Sequence, residues 1–171
     1  MPNWCMNYLT ISHKDMDMIK KFDKAYREDW VIETFYPTPR DPGDPTMLMG
    51  EGKSFSAGEN ATNNWYHWRI ANWGTKWDIG CKDGYGMEPT IVDNELTVTF
   101  DSAWSPPLGF YERLHTLGFD VQASYFEPGM SFAGTWQNGK DDYYEGDWHD
   151  FPEAIKDEFN IHEWYQEEEE V

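Results

Sequence analysis

The chain has 171 residues, of which 32 are acidic and 13 basic, so its formal net charge is −19. This length fits one domain and is sufficient to bury a core. The charge opposes direct binding to nucleic acid or to an anionic membrane, and it favours a partner protein with a basic surface. Aromatic residues make up 18% of the chain, whereas disordered acidic chains are poor in them, so we expect a folded protein.

The sequence predicts neither a membrane span nor a secretory signal. No stretch approaches the roughly 18 apolar residues that a span needs, and the N-terminus lacks a basic segment followed by an apolar one. We therefore expect a location in the cytoplasm. Cys5 and Cys81 are too few for a disulfide framework in a chain of this size, so we expect two reduced thiols.

The first elements are predicted from two hydrophobic periods. Alternation from Trp4 to Ser12 predicts a strand. A helix over about residues 14–29 follows, because apolar side chains recur there at spacings of three and four. Val31 to Phe35 is interpreted as a further short strand or extended segment.

A long insertion follows. Four prolines and four glycines between Pro37 and Asn60 predict irregular structure, and loops of this length in compact domains are often functional. Thr62 is the predicted cap of a helix over Asn63–Trp73, which Gly74 ends. Residues 75–80 are then predicted to form a strand.

The second half of the chain is predicted to contain two hairpins and two helices. One hairpin turns at Asp93-Asn94, and the other turns at Asn138-Gly139, a strong hairpin signal. The predicted elements are strands over Thr90–Val92, Glu95–Ser102 and Phe119–Phe126, a helix capped by Ser105, hairpin arms Met130–Gln137 and Asp142–Trp148, a short helix over Pro152–Phe159, and a solvated acidic tail, Glu167–Glu170.

This order predicts an α+β fold. Without the insertion, which spans about residues 37–73, residues 1–138 follow the βαββαβ order of a ferredoxin-like domain. Its helices would cover one face of an antiparallel sheet. Residues 139–171 would form an acidic C-terminal extension, packed on this domain or following it, with an added hairpin arm and a short helix.

Four segments of the chain carry a resemblance to a known family. They are Pro2–Cys5 with Asn7 and Leu9–Ile11, Trp68–Ile70 with Asn72–Asp78, Phe100–Pro107, and Tyr125–Gly129 with Phe132–Gly134. Together they resemble the YubB-like proteins of phages and plasmids, which carry a ferredoxin-like domain. The resemblance covers roughly residues 2–138 and implies a mobile-element origin and a place in a bacterial host cytoplasm. It implies no reaction.

The segment from residue 72 to residue 78 is the first candidate site. In a ligand-binding interpretation, two tryptophans stack on a ligand, a lysine binds an anion and polar side chains orient it. In a structural interpretation, Gly74 caps a helix, the polar side chains hold loop backbone and the tryptophans pack on the sheet. The residues concerned are Asn72, Trp73, Lys76, Trp77 and Asp78.

The second hairpin is the second candidate site, because acidic and aromatic residues are dense there. Its carboxylates lack the loop spacing of an EF-hand, so we expect no metal. The alternatives are a solvated acidic face and a contact surface for a basic partner. The candidate contact residues are Asp141, Asp142, Tyr143, Tyr144, Glu145, Asp147, Trp148 and Asp150.

The sequence shows no catalytic motif and no cofactor motif. The favoured hypothesis is therefore a non-enzymatic binding protein of a phage or plasmid, an acidic inhibitor of a host nucleic-acid-handling or defence protein. The alternatives are a module that binds a nucleotide-type ligand and an enzyme with its site at the sheet edge, for which His67, Asp78 and Asp101 are the first residues to test.

Overall fold

The computed structural model describes residues 3–52, 64–83 and 85–169, with side chains up to residue 166. Six of its strands form one antiparallel sheet. These strands are β1 (Trp4–Ser12), β4 (Thr90–Val92), β5 (Glu95–Ala103), β6 (Asp120–Glu127), β7 (Phe132–Gln137) and β8 (Lys140–Glu145). The sheet order is β4-β5-β1-β6-β7-β8, so the fold is α+β as predicted.

The helices and a small hairpin surround this sheet. The helices are α1 (Met16–Arg27), α2 (Val31–Phe35), α3 (Trp65–Trp73), α4 (Leu108–Thr116), α5 (Glu153–Glu158) and α6 (Ile161–Glu169). The hairpin pairs β2 (Arg40–Asp41) with β3 (Asp44–Leu48) inside the predicted insertion. Residues 53–63 of the insertion, including the predicted cap Thr62, lie outside the described residues, and Asn64 caps α3 through its side chain.

Strand β1 is central and pairs with β5 on one side and β6 on the other. Leu9 lies opposite Val98 and Ala123, and all three are buried. Directly opposite residues share a face of a sheet, so these side chains form the floor of one core. Helices α1 and α4 cover that floor with Phe22 and Phe110. We call this the first core.

The opposite face of the sheet carries a second core at one end. Phe126 and Ala133 project to this face, and Ile155 of α5 and Ile161 of α6 pack on them. The two helices of residues 1–138 that cover the sheet, α1 and α4, lie on one face, as predicted, and the C-terminal helices, for which no face was predicted, pack on the other. Apolar side chains at Phe126 and Ala133 give them a surface to bury.

Two predicted strands are wrong. Val31–Phe35 is a helix, α2, and the Asp78 carboxylate accepts hydrogen bonds from the first N–H groups at its start. The segment after Gly74 forms no strand, because Asp78 is held by those bonds and Gly80 lies directly against the Tyr26 backbone carbonyl. The strand prediction fails for both segments because a contact with a distant part of the chain, which the local pattern does not contain, determines their structure.

The start of α4 also differs from the prediction. Pro107 is its N-cap residue, and it makes no side-chain capping bond. The Ser105 hydroxyl instead donates to the backbone carbonyl of Gly74. Ser105 therefore ties two loops together and does not cap the helix.

The C-terminal region continues the same sheet. The turn at Asn138-Gly139 has φ values of 45° and 100°, as the hairpin signal predicts, and β7 and β8 extend the sheet across residue 138. A helix, α6, reaches Glu169 and so includes three residues of the predicted acidic tail, whose last residue, Glu170, lies outside the described residues. Among the described residues, no helix is both long and apolar enough to cross a membrane.

A buried ion pair connects α2 to α3 beside the first core. Glu33 and Arg69 are 4% and 8% exposed, and Nη2 of Arg69 lies 3.4 Å from Oε2 of Glu33. Thr38 donates its hydroxyl to the same Glu33 oxygen at 2.7 Å, and Arg40 reaches the other oxygen at 3.1 Å. The Arg69 guanidinium also lies over the Trp73 ring, 4.3 Å from its centroid. The charges of this pair are thus compensated by contacts on every side.

Candidate functional site

The structure divides the first candidate segment into buried and exposed residues. Trp73, predicted as a stacking surface, is fully buried in the first core, and its indole N–H donates to the Tyr36 carbonyl at 2.8 Å. Asn72 donates to the Trp68 carbonyl and accepts from the Tyr36 hydroxyl. The contacts of these two side chains therefore stabilise the fold, and Trp73 has no surface left for a ligand.

The Asp78 side chain is also hydrogen-bonded within the fold. Its carboxylate accepts from the backbone N–H groups of Ile32, Glu33 and Ile79, each at 2.8 Å. Burial raises the pKa of Asp78 to about 6, although these three donors act in the opposite direction. Asp78 therefore anchors α2, and its raised pKa reflects desolvation.

In this segment, Trp77 is exposed and Lys76 is partly exposed. The Lys76 ammonium lies 4.3 Å from the Trp77 ring centroid, 5.9 Å from that of Tyr66 and 6.0 Å from that of Trp104. Trp77 is 41% exposed. The lysine is thus surrounded by aromatic rings, an arrangement that attracts the ammonium to their faces.

The second candidate segment is divided in the same way. Tyr144 and Trp148 are partly buried and pack against the second core, so part of each ring is covered by the fold. Asp147 accepts hydrogen bonds from the backbone and ring nitrogens of His149 and starts a short 3₁₀ turn over Trp148–Asp150. The aromatic density that suggested a contact surface here is thus partly explained by the core.

The remaining side chains of this segment form an exposed row. Asp141, Tyr143 and Glu145 alternate along β8, an edge strand, and therefore project to one face. Tyr143 is 50% exposed, and its hydroxyl donates to Glu145 at 3.0 Å. The Asp141 carboxylate accepts from the Tyr125 hydroxyl at 2.7 Å, which fixes its position. Asp142 projects to the opposite face.

Trp104 brings the two candidate segments together, and the sequence analysis missed it as a site residue. It has a left-handed φ of 70° and is 48% exposed. This conformation is costly for a bulky residue and persists only where the surroundings impose it. An available signal was the position of this tryptophan between the end of a strand and the pair Pro106-Pro107.

The loop around Trp104 is held by short hydrogen bonds. The Thr75 hydroxyl donates to the Ala103 carbonyl at 2.9 Å, and the Ser102 hydroxyl donates to the Ser105 carbonyl at 2.7 Å. The Trp104 N–H donates to the Asn3 carbonyl at 2.9 Å. These bonds fix the backbone on both sides of Trp104, so the indole is displayed on a rigid loop.

A hollow of about 450 Å³ joins Trp104 to the β8 row. Its lining includes Gly74 at the end of α3, Trp104, and Asp141 with Tyr143 from β8. We call Trp104, Asp141, Tyr143 and Glu145 the acidic-aromatic surface. It presents two half-exposed rings beside two carboxylates, which is an arrangement suited to lysine and arginine side chains.

The uncovered part of the opposite face carries a polar groove of about 590 Å³. Tyr8, Thr10, Gln122 and Thr135 line it, with Glu158 of α5 at its border. Glu158 accepts from the Ser124 hydroxyl at 2.6 Å. This bond attaches α5 to the sheet and contributes to one wall of the groove.

The three residues considered for an enzyme site, His67, Asp78 and Asp101, are not all brought together. His67 is hydrogen-bonded to Asn64 at the start of α3, and it does not line the pocket that Asp78 and Asp101 share. Within residues 3–52, 64–83 and 85–169, no three His, Cys, Asp or Glu side chains are arranged to hold a metal ion. Burial raises the pKa of the Cys5 thiol far above its usual value, so this cysteine stays protonated.

Comparison with known proteins gives a similar structure but no matching family. No protein-family model matches the chain, and no curated protein matches it. The chain is similar to the crystal structure of the protein api92 from Yersinia pseudotuberculosis, of the family DUF1281, at 12% identity. The match covers 88% of this chain and 100% of the other, with a TM-score of 0.44. At this TM-score the likeness carries no argument about the function.

Proposed function

We propose that the protein is a non-enzymatic binding module whose acidic-aromatic surface contacts a basic surface of a protein partner. The observation that carries this proposal is the meeting of Trp104 with Asp141 and Tyr143 around one hollow. These residues come from distant parts of the chain, and the strained Trp104 backbone holds an indole toward solvent. Exposed aromatic side chains are frequent anchors of protein interfaces.

The charge of the molecule supports a basic partner. The net charge of −19 steers a positively charged surface toward the protein, and it opposes the phosphates of nucleic acid. Asp141 and Glu145 supply carboxylates at the surface itself. Because two aromatic rings flank them, lysine or arginine side chains of a partner gain both ion pairs and cation–π contacts.

The geometry disfavours a nucleotide-type ligand at residues 72–78, the segment considered for one. The hollow next to Lys76 and Trp104 has a volume of about 150 Å³, whereas sites for small ligands usually have at least about 300 Å³. Trp73, one of the two tryptophans that a nucleotide would need to stack on, is buried. The exposed rings and the carboxylates of β8 instead form an open surface.

We further propose that the partner is a host nucleic-acid-handling or defence protein, and that this chain is an inhibitor made by a phage or plasmid. The segments that resemble the YubB-like proteins support the mobile-element origin. The order β4-β5-β1-β6, with α1 and α4 on one face, supports a ferredoxin-like core. A partner with a groove for nucleic acid has the basic surface that a chain of this charge can occupy.

The test is a binding experiment with two variants of equal charge. The site variant carries Asp141→Asn and Glu145→Gln, and the control variant carries Glu95→Gln and Glu112→Gln, which remove two exposed carboxylates elsewhere. Tagged proteins are incubated with bacterial lysate, and the retained proteins are identified by mass spectrometry at two salt concentrations. The affinity for each retained partner is then measured with purified protein.

We expect that wild type and the control variant both retain a basic partner protein. High salt should release this partner. The site variant should bind it about tenfold more weakly, since charged interface contacts each contribute 1 kcal/mol or more. Trp104→Ala should weaken binding by a similar factor. Equal affinities of the site variant and the control variant would remove the acidic-aromatic surface from consideration.

A further inference from the structure

A further pocket lies at the same end of the sheet as the acidic-aromatic surface, but on the opposite face of the sheet. Aromatic rings form its walls, and a carboxylate lies at its border. Trp4, Trp77 and Tyr85 line this pocket together with Asp101, and its volume is about 200 Å³. Trp4 and Asp101 project to the opposite face from the first core, because they alternate with buried residues on β1 and β5. We call this the Asp101 pocket.

The three rings of the Asp101 pocket lie close together, and two of them are partly exposed. Trp4 and Tyr85 lie nearly parallel, with centroids 5.0 Å apart and planes inclined by 26°, and Trp77 lies 6.0 Å from Trp4 at 43°. Trp77 is 41% exposed and Tyr85 is 56% exposed. Planar cations bind to such ring faces, and tryptophan is the strongest partner.

Four carboxylates line the pocket, and their partners differ. Asp78 accepts three backbone N–H groups, and Asp29 accepts those of Lys82 and Asp83. Asp83 is exposed to solvent. Asp101 is half-buried, and no hydrogen-bond donor or cation of the described residues contacts its carboxylate. Burial alone raises the pKa of Asp101.

An unpaired, half-buried carboxylate lacks part of its hydration, so an approaching cation stabilises it. The positively charged side chains nearby do not provide one. Lys82 lies beside Glu28 at 3.7 Å, and Lys76 lies among the rings of Tyr66, Trp77 and Trp104 without lining this pocket. The pocket therefore has the components of a cation site whose cation must come from outside the chain.

We propose that the Asp101 pocket binds the guanidinium group of an arginine side chain that a protein partner presents. A volume of about 200 Å³ is below the usual range for a small-molecule site, but it accommodates the end of one long side chain. A guanidinium is planar, stacks on aromatic rings and is weakly hydrated, whereas an ammonium is compact and strongly hydrated. Only the claim that the arginine belongs to a protein rests on the proposed function.

The experiment uses three capped tripeptides, acetyl-Gly-X-Gly-amide, in which X is arginine, lysine or citrulline. Citrulline has the shape of arginine without its charge. Binding is followed by NMR through the indole N–H signals of the ¹⁵N-labelled full chain, which are assigned with Trp4→Phe and Trp77→Phe. The buried Trp73 indole reports whether each variant retains its fold.

The expected result is that the arginine peptide shifts the signals of Trp4 and Trp77, while the lysine peptide binds more weakly and the citrulline peptide does not bind. Asp101→Asn should weaken the arginine peptide about tenfold, since a charge-assisted contact is lost. Glu112→Gln, a control at a distant exposed carboxylate, should leave its affinity unchanged. The two-residue variant at Asp141 and Glu145 should also bind the peptide normally, which separates this pocket from the acidic-aromatic surface.

Three results would overturn the proposal. One is equal affinity for the citrulline and arginine peptides, because charge would then have no role. Another is equal affinity for the lysine peptide, because the pocket would then not select a guanidinium. The third is an unchanged affinity in Asp101→Asn while the Trp73 signal shows an intact fold.

Discussion

The two faces of the sheet differ in how completely they are covered. The first face is closed by α1 and α4 over a continuous core of aliphatic and aromatic side chains. In the part of the chain that the structure describes, the second face is covered at one end, by α5 and α6 over Phe126 and Ala133. Between that end and β4, it presents Tyr8, Thr10 and Thr99 to two adjoining hollows.

The difference shows that residues buried in a core and residues exposed to solvent share the same strands but lie on opposite faces. On β1, for example, Leu9 is fully buried, and the adjacent Tyr8 is 38% exposed. The open face and the sheet edges therefore tolerate polar and aromatic residues that the first core would exclude. We therefore expect substitutions on the two faces to differ, in a clear order, in their effect on the stability of the fold.

The largest effect is expected in the first core. Phe110→Ala removes a fully buried ring that stacks on Phe22, with centroids 6.3 Å apart. Such truncations lower the free energy of unfolding by about 4 kcal/mol. Thr135→Ala on the open face is the control and should change it by no more than about 0.5 kcal/mol. Urea unfolding followed by circular dichroism measures both values, and similar losses would contradict the comparison.

The next effect is expected at the buried ion pair. Arg69→Met leaves the Glu33 carboxylate buried with one fewer cation, which should cost about 3 kcal/mol. Lys82→Ala removes the exposed pair with Glu28 and should cost less than about 1 kcal/mol. Chemical denaturation of both variants checks the ratio. Equal losses would mean that burial does not distinguish the two pairs.

A smaller effect is expected in the second core. Ile155→Ala truncates an α5 side chain that is 2% exposed in a cluster of five buried residues. We expect a loss of about 2 kcal/mol, at the lower end for such substitutions, because a small cluster relaxes more easily. Hydrogen exchange should show the loss first in α5 and α6. Uniform loss of protection across β1 and β5 would instead indicate that both cores unfold together.

The smallest effect concerns pH. The pKa of Asp78 in the folded protein is raised by burial to about 6, above its usual value, so the folded state binds this proton more tightly than the unfolded state. Its contribution to stability therefore increases as the pH falls from above 6 toward the unfolded pKa. Wild type should gain more than Asp78→Asn between about pH 7.5 and 5.5. The same gain in both would contradict a raised pKa.

The sequence predicted the elements whose pattern is local. Period-two alternation predicted β1 and β5 to within one residue, and Asn138-Gly139 predicted the turn of the second hairpin. It could not predict α2, because the hydrogen bonds at its start come from Asp78, more than forty residues away. A five-residue helix has too few residues for its own pattern to outweigh such a contact.

In the candidate sites, too, the sequence predicted the local features but not those that depend on distant contacts. The sequence indicated that residues 72–78 and 141–150 were unusual. It could not separate Trp73, buried in the first core, and Trp148, partly buried against the second core, from Trp77 and Tyr143, which are exposed. An aromatic residue has the same composition signal in a core and on a surface. Only the direction of its side chain distinguishes them.

The sequence by itself determined the acidity, the alternation of the strands and the helical face of α1, because these depend on residue type and on neighbours a few positions away. The tertiary structure decided which face α5 and α6 cover, where Asp78 bonds, and that Trp104 lies between Lys76 and the β8 carboxylates. These features depend on contacts between residues far apart in the chain. Such contacts arise only when strands pair and helices pack, and no local pattern encodes them.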